Sequence, residues 1–190
     1  MSSQSSAPGT ITLTTSTEIP HINVTIIPAH TEHFATLRAI ELAAFETLRQ
    51  AGAMTGPASA SSIEELSDFS RNGLLLAACT PDSAPVGFIA GQIAGKWLHI
   101  AEMDVHPNWQ RSGIGKQLMQ AILCNGKQRN LTGATLTTDK MAAFNARFYA
   151  TLGFEIVEGE ARPLHLAAMM EDEIAKGFDP SRRVAMRVIF

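Results

Sequence analysis

The stretch W-Q-R-S-G-I-G-K, Trp109 to Lys116, sets two glycines one residue apart just ahead of a run with helical spacing. The start of a helix leaves several backbone N–H groups unpaired and carries a partial positive charge. Gly113 and Gly115 would let an anionic group approach that backbone, and Arg111 and Lys116 add charge. A phosphate or pyrophosphate is the natural partner. Two familiar phosphate loops do not fit. A Walker loop requires glycine where Gln110 stands and Ser or Thr where Gln117 stands. A dinucleotide fingerprint requires glycine where Leu118 stands, and a parallel sheet opening the domain. The other residues with chemical potential are titratable. W-L-H-I-A-E-M-D-V supplies His99, Glu102 and Asp104, Glu41 falls within an apolar helical stripe, and Tyr149 is the single tyrosine.

These residues must be positioned by a mixed α/β domain. H-I-N-V-T-I-I-P (His21 to Pro28) reads as the first firm strand, and Ile11 to Thr17 alternates like an edge strand. A helix is expected from Thr31, as N-cap, to Gln50, with Phe34, Leu37, Phe45 and Leu48 as its apolar stripe; a second covers Ile63 to Arg71, stopped by Asn72-Gly73. Leu74–Cys79, Pro85–Ile93 and Trp97–Val105 form an antiparallel meander joined by hairpin-sized breaks. A helix from Gly113 to Gln128 then crosses over to a strand at Ala134–Thr138. A short helix (Asn145–Leu152), a strand (Phe154–Glu158), a helix (Leu164–Lys176) and a closing strand (Arg183–Phe190) complete the order. Residues 1–20, rich in Ser and Thr, read as a tail, and residues 21–190 as the domain.

On V-H-P-N-W-Q-R-S-G-I-G (Val105 to Gly115) the sequence resembles the GNAT superfamily of acyl-CoA-dependent N-acetyltransferases, whose signature is [QR]-x-x-G-x-[GA] after a strand ending V-x-P. A second stretch, N-A-R-F-Y-A-T-L-G-F (Asn145 to Phe154), is similar to that family's N-x-x-x-x-[FY]-Y-x-x-x-G-F region, with slightly shorter spacing. The resemblance spans about Asn23 to Phe190 and implies a mostly antiparallel twisted sheet of about seven strands with one splayed pair. It also implies a site. The pyrophosphate of acetyl-CoA would sit on the N–H groups of Arg111, Ser112, Gly113, Ile114, Gly115 and Lys116, following Gln110. The pantetheine arm would pair with Met103, Asp104 and Val105 where the fourth and fifth strands part. Asn145 would touch the cofactor arm, and Tyr149 would protonate the departing thiolate.

Acyl transfer to an amine requires a neutral amine, hence a base. His99 and Glu102 are rival bases. Strict alternation puts Glu102 and Asp104 on one face of their strand and His99 on the other, unless a bulge breaks the parity. An unpaired buried carboxylate is costly, so Glu41 should have a partner or border a cavity; the resemblance implies that its helix lines the acceptor-amine site. Met169-Met170 read as packing.

Composition bounds the rest. The chain of 190 residues carries a formal net charge of -3, with 45% apolar and 17% charged residues. That suits a single globular domain and gives no reason to expect nucleic-acid or membrane binding. No apolar run reaches the length of a membrane helix, about 18 residues. The opening segment lacks the features of a secretory signal. Cys79 and Cys124 form no zinc motif and suit two core thiols in a reducing cytoplasm. The reading is therefore a cytoplasmic acetyl-CoA-dependent N-acetyltransferase (EC 2.3.1 class) acting on a primary amine by direct attack. It favours a small molecule, needs no metal and allows a homodimer. The alternatives are a protein N-acetyltransferase and a non-catalytic acyl-CoA sensor.

Overall fold

A computed structural model of the chain describes residues 23–50, 52, 57–142 and 146–190. The expected tail, the edge strand at Ile11–Thr17, His21 and Asn145 lie outside them. Seven strands form one sheet: β1 (Thr25–Pro28), β2 (Leu75–Cys79), β3 (Pro85–Ala94), β4 (Trp97–Val105), β5 (Gly133–Asp139), β6 (Glu155–Val157) and β7 (Arg183–Ile189). Their order is β1-β2-β3-β4-β5-β7-β6, and only β4 and β5 run parallel. The mostly antiparallel sheet with one parallel crossover is the architecture expected from the sequence.

The helices are α1 (Phe34–Gln50), α2 (Ile63–Arg71), α3 (Ile114–Gln128), α4 (Ala146–Thr151) and α5 (Leu164–Ala175). Thr31 is not the N-cap of the first: a short 3-10 turn, Thr31–His33, precedes α1, and extended His30 stands at the cap, its N–H bonded to His33 Nδ1 at 3.1 Å. At α2 the cap is reciprocal. Glu65 N–H donates to Ser62 Oγ at 3.1 Å, and Ser62 N–H to Glu65 Oε2 at 2.7 Å. None of the helices described is long and apolar enough to cross a membrane.

The two faces of the sheet bury separate cores. Against one, α3 packs Ile114, Leu118, Met119 and Ile122 onto Ile89, Leu98 and Ile100. Against the other, Phe34, Leu37 and Ile40 of α1 and Leu66 of α2 cover Ala77, Phe88 and Ala90. Beyond β4, α5 covers Val157 and Ala185 through Leu166, with Met169 and Met170 half-buried beside it. Of the two thiols, Cys79 is buried as expected. Cys124 is exposed, because it falls on the outer face of α3.

Two irregularities shape the middle of the sheet. β4 pairs with β5 only over Trp97–His99 against Gly133–Thr135, so Ile100 to Val105 part from β5 and open a cleft. In the β3–β4 ladder, Ala90 pairs with Glu102 and Gly91 with Ile100, leaving Ala101 bulged out without a partner.

Candidate active site

The cleft is bounded at one end by the turn into α3. β4 ends at Val105, a one-turn 3-10 segment covers Pro107–Trp109, and Gln110 Nε2 reaches back to the Val105 carbonyl at 3.0 Å. Ser112 Oγ donates to the Trp109 carbonyl. Arg111 has φ +60° and Gly113 φ +86°, two left-handed residues one apart. Such alternation turns successive N–H groups toward a common centre, and here it leads directly into a helix N-terminus. Gly115 has a different reason to be small. A Cβ there would meet Phe148 Cζ at 3.7 Å and Met103 Cε at 3.9 Å, which is ordinary contact. The chain itself therefore leaves room at Gly115, and the glycine keeps that space open beside the helix start.

The bulge decides the faces of β4. Glu102 pairs with Ala90, Asp104 with Phe88 and His99 with Gln92, three β3 residues of one face. His99 thus stands on the same side as Glu102 and Asp104, not opposite them as strict alternation requires. It leans the other way along that face. Its Nδ1 lies 3.2 Å from Thr135 Oγ1, which lies 2.9 Å from His165 Nε2 on α5. His99 is 5% exposed. Burial, then the positive fields of His165 and Arg183, push its pKa down to about 4, so the ring is neutral at pH 7.

Glu102 and Asp104 face Glu41 of α1, with one carboxylate oxygen of each within 4.8 Å of the others. Glu41 has the partner its place in an apolar stripe demanded. Ser61 N–H lies 3.0 Å from both its oxygens, and Ser61 Oγ 3.1 Å from Oε1. Arg38 Nε in turn holds the Ser61 carbonyl at 2.9 Å. Burial is the largest cause that raises each of the three carboxyl pKa values. Glu102 is pushed up to about 7, by burial first and Glu41 second. Asp104 is raised well above its ordinary value by burial and then by Glu102. Glu41 is raised by burial, against the hydrogen bonds from Ser61.

Tyr149 of α4 packs between Phe148 and Phe154, at ring distances of 5.2 and 6.0 Å, against the α3-side core. Burial, then the negative fields of Glu102 and Asp104, raise its pKa and keep the phenol protonated. Sequence reasoning passed over Ser61, Thr135, His165 and the group Thr137–Glu173–Arg183. Each depends on contacts between residues 10 to 46 apart, and none carries a local signal.

Residues 72–156, from the end of α2 through β6, match the family model described as an acetyltransferase (GNAT) domain. Solved structures with the same fold include the PaiA N-acetyltransferase of Thermoplasma acidophilum in complex with coenzyme A. It is 16% identical with a TM-score of 0.62, over 88% of this chain and 99% of that one. The ribosomal-protein-S18-alanine N-acetyltransferase of Escherichia coli is 17% identical with a TM-score of 0.60, over 88% and 94%. The N-acetylglutamate synthase of Neisseria gonorrhoeae, complexed with coenzyme A and N-acetyl-glutamate, is 16% identical with a TM-score of 0.66, over 88% of this chain and 35% of that one. Likeness at such identity speaks for the fold alone, and residues 72–156 are similar in sequence to the acetyltransferase (GNAT) domain.

Proposed function

We propose that this protein is a GNAT acetyltransferase that transfers the acetyl group of acetyl-CoA to a small primary amine in the cytoplasm, with Glu102 as base and Tyr149 as acid. The observation that carries the acceptor half is the spacing of the three carboxylates. A primary ammonium carries three N–H donors and can lie among three carboxylate oxygens. The oxygens of Glu41, Glu102 and Asp104 lie within 4.8 Å of one another. A primary ammonium can give each of them one N–H; a secondary or tertiary one cannot.

The other half rests on the turn. Left-handed Arg111 and Gly113, the start of α3 and the open space at Gly115 suit a pyrophosphate. Ile100 to Val105, unpaired on their β5 side, offer backbone groups to an extended arm. Acetyl-CoA supplies a thioester carbonyl carbon. Glu102, with a pKa of about 7, takes a proton from the ammonium. The neutral nitrogen then attacks the carbonyl, the carbon–sulfur bond breaks, and Tyr149 gives its phenolic proton to the sulfur. The attacking nitrogen sheds its second proton as the amide forms, which restores the Tyr149 phenol, and the proton on Glu102 leaves to solvent. Neutral His99, turned toward Thr135, serves less well: a base with a pKa of about 4 holds little of a proton taken at pH 7. The free cysteines Cys79 and Cys124 accord with a reducing compartment.

The test is thiol release from acetyl-CoA across a panel of primary, secondary and tertiary amines and short peptides. Acceptor-dependent release confined to small primary amines supports the reading. Release with peptides alone moves the acceptor to protein, and none with any acceptor leaves an acyl-CoA sensor.

A further inference from the structure

Across the cleft from Glu102 stands a cation that the mechanism above does not use. Thr135 and Thr137 of β5 point to the same face of the sheet as His99 and Glu102, since Thr135 sits beside His99 in the parallel ladder. Thr137 lies beyond the point where the strands part, and its Oγ1 accepts from Arg183 Nη2 at 2.8 Å. Glu173 of α5 grips the same guanidinium side-on, taking Nε at 3.0 Å and Nη2 as well. Phe178 lies beneath it, with the guanidinium carbon 4.5 Å from the ring centroid. The side chain is 11% exposed.

A guanidinium has five N–H donors. Glu173 and Thr137 account for the three on Nε and Nη2, while Nη1 makes no hydrogen bond among the described residues. Yet Nη1 is not a sealed orphan. The one buried side-chain N or O atom without a partner, among the described residues, is Arg162 Nε. Among the described residues, Nη1 therefore keeps contact with solvent. The positive charge of Arg183 reaches three residues around it, His99, Glu102 and Tyr149. A cation held by Glu173, Thr137 and Phe178, with Nη1 unused among the described residues, is preorganised for an anionic oxygen. Glu173 and Arg183 lie outside the stretch that matches the family model, while Thr137 lies within it.

We propose that Arg183 Nη1 binds a carboxylate carried by the acceptor, so that the acceptor is a zwitterion whose ammonium meets Glu41, Glu102 and Asp104 while its carboxylate meets Arg183. This rests on the amine-acetylating reading above and narrows its substrate class. A plain alkylamine of the same length satisfies the carboxylates and leaves Arg183 without its ligand.

The experiment compares ω-amino acids of increasing chain length with the n-alkylamines that match them, measuring thiol release from acetyl-CoA. At one chain length the amino acid should exceed its alkylamine in kcat/KM by about tenfold or more, an ordinary margin for one charge-assisted contact, mostly through KM. That length also measures the span from the carboxylates to Nη1. Arg183→Gln should bring the ratio to near one, and Arg183→Lys should restore part of it. Because Arg183→Gln leaves Glu173 unpaired, the double variant Arg183→Gln/Glu173→Gln, which removes both charges, guards against loss of fold. A ratio at or below one at every length in the native protein overturns the proposal, as does a ratio that survives both Gln variants. Release with no amine of either series contradicts the acetyltransferase reading itself, a different result from turnover of both series without preference.

Discussion

Glu102 and His99, three residues apart on β4, project from the same face of the sheet because Ala101 bulges out between them, opposite the Ala90–Gly91 step of β3. Their environments then push their pKa values in opposite directions. Burial beside Glu41 raises Glu102 to about 7, and burial beside His165 lowers His99 to about 4. The pair should therefore leave a recognisable signature in stability. A carboxyl with a raised folded pKa contributes stability that is present below its unfolded value and lost as pH rises through about 7. An imidazole with a lowered folded pKa contributes stability that is present above about 6.5 and lost as pH falls toward 4. The two oppose each other between about pH 4.5 and 6.5, at about 1.4 kcal/mol per pKa unit. Thermal unfolding of His99→Asn should gain in Tm relative to the native protein as pH falls through this window, and Glu102→Gln should lose. Parallel curves for all three proteins would contradict these assignments.

The two glycines of the turn should respond differently to substitution. Gly113 has φ +86°, so Gly113→Ala should cost about 1 kcal/mol of stability through backbone strain alone. At Gly115 a Cβ meets only ordinary contacts, so Gly115→Ala should fold with an unchanged Tm. Loss of coenzyme A affinity in Gly115→Ala by calorimetry would then report on the ligand and not on the fold. Full affinity would place the pyrophosphate elsewhere.

Tyr149→Phe keeps the ring that packs between Phe148 and Phe154 and removes only the hydroxyl. It should lower kcat by about 10²-fold, the range of one general acid, with coenzyme A binding intact. A native kcat in this variant would remove Tyr149 from the chemistry.

Glu41 should govern the acceptor more than the chemistry. Ser61 holds its carboxylate, and in the proposed mechanism it is Glu102 that takes the proton. Glu41→Gln should raise KM for the amine about tenfold, the cost of one charged hydrogen bond, while leaving KM for acetyl-CoA near its native value. Equal effects on both constants would point to a general disturbance of the site.

Much of this was legible in the residues, for identifiable reasons. The α3 helix and its turn announce themselves because Gly113, Gly115 and the apolar series Ile114, Leu118, Ile122 are local patterns. The boundaries of α2 and β4 follow from capping residues and alternation. The faces of β4 do not, because a bulge is set by the partner strand: nothing in W-L-H-I-A-E-M-D-V marks Ala101 as the extra residue. The same holds for Glu41. Its odd place in an apolar stripe raised the question of a partner, but Ser61, twenty residues on, answers it only once α1 and α2 have packed. Arg183, held from β5 and α5, looks from the sequence like one more basic residue at the start of the last strand.

The central claim is that Glu102 is the base, and the pH dependence of kcat/KM tests it most directly. With a primary amine that supports turnover, the native profile should rise through an acidic limb near pH 7, where Glu102 loses its proton. His99→Ala should keep that limb. Glu102→Gln should lose it, with kcat/KM at pH 7.5 lower by about 10²-fold or more. An acidic limb that persists in Glu102→Gln and disappears in His99→Ala would contradict the account.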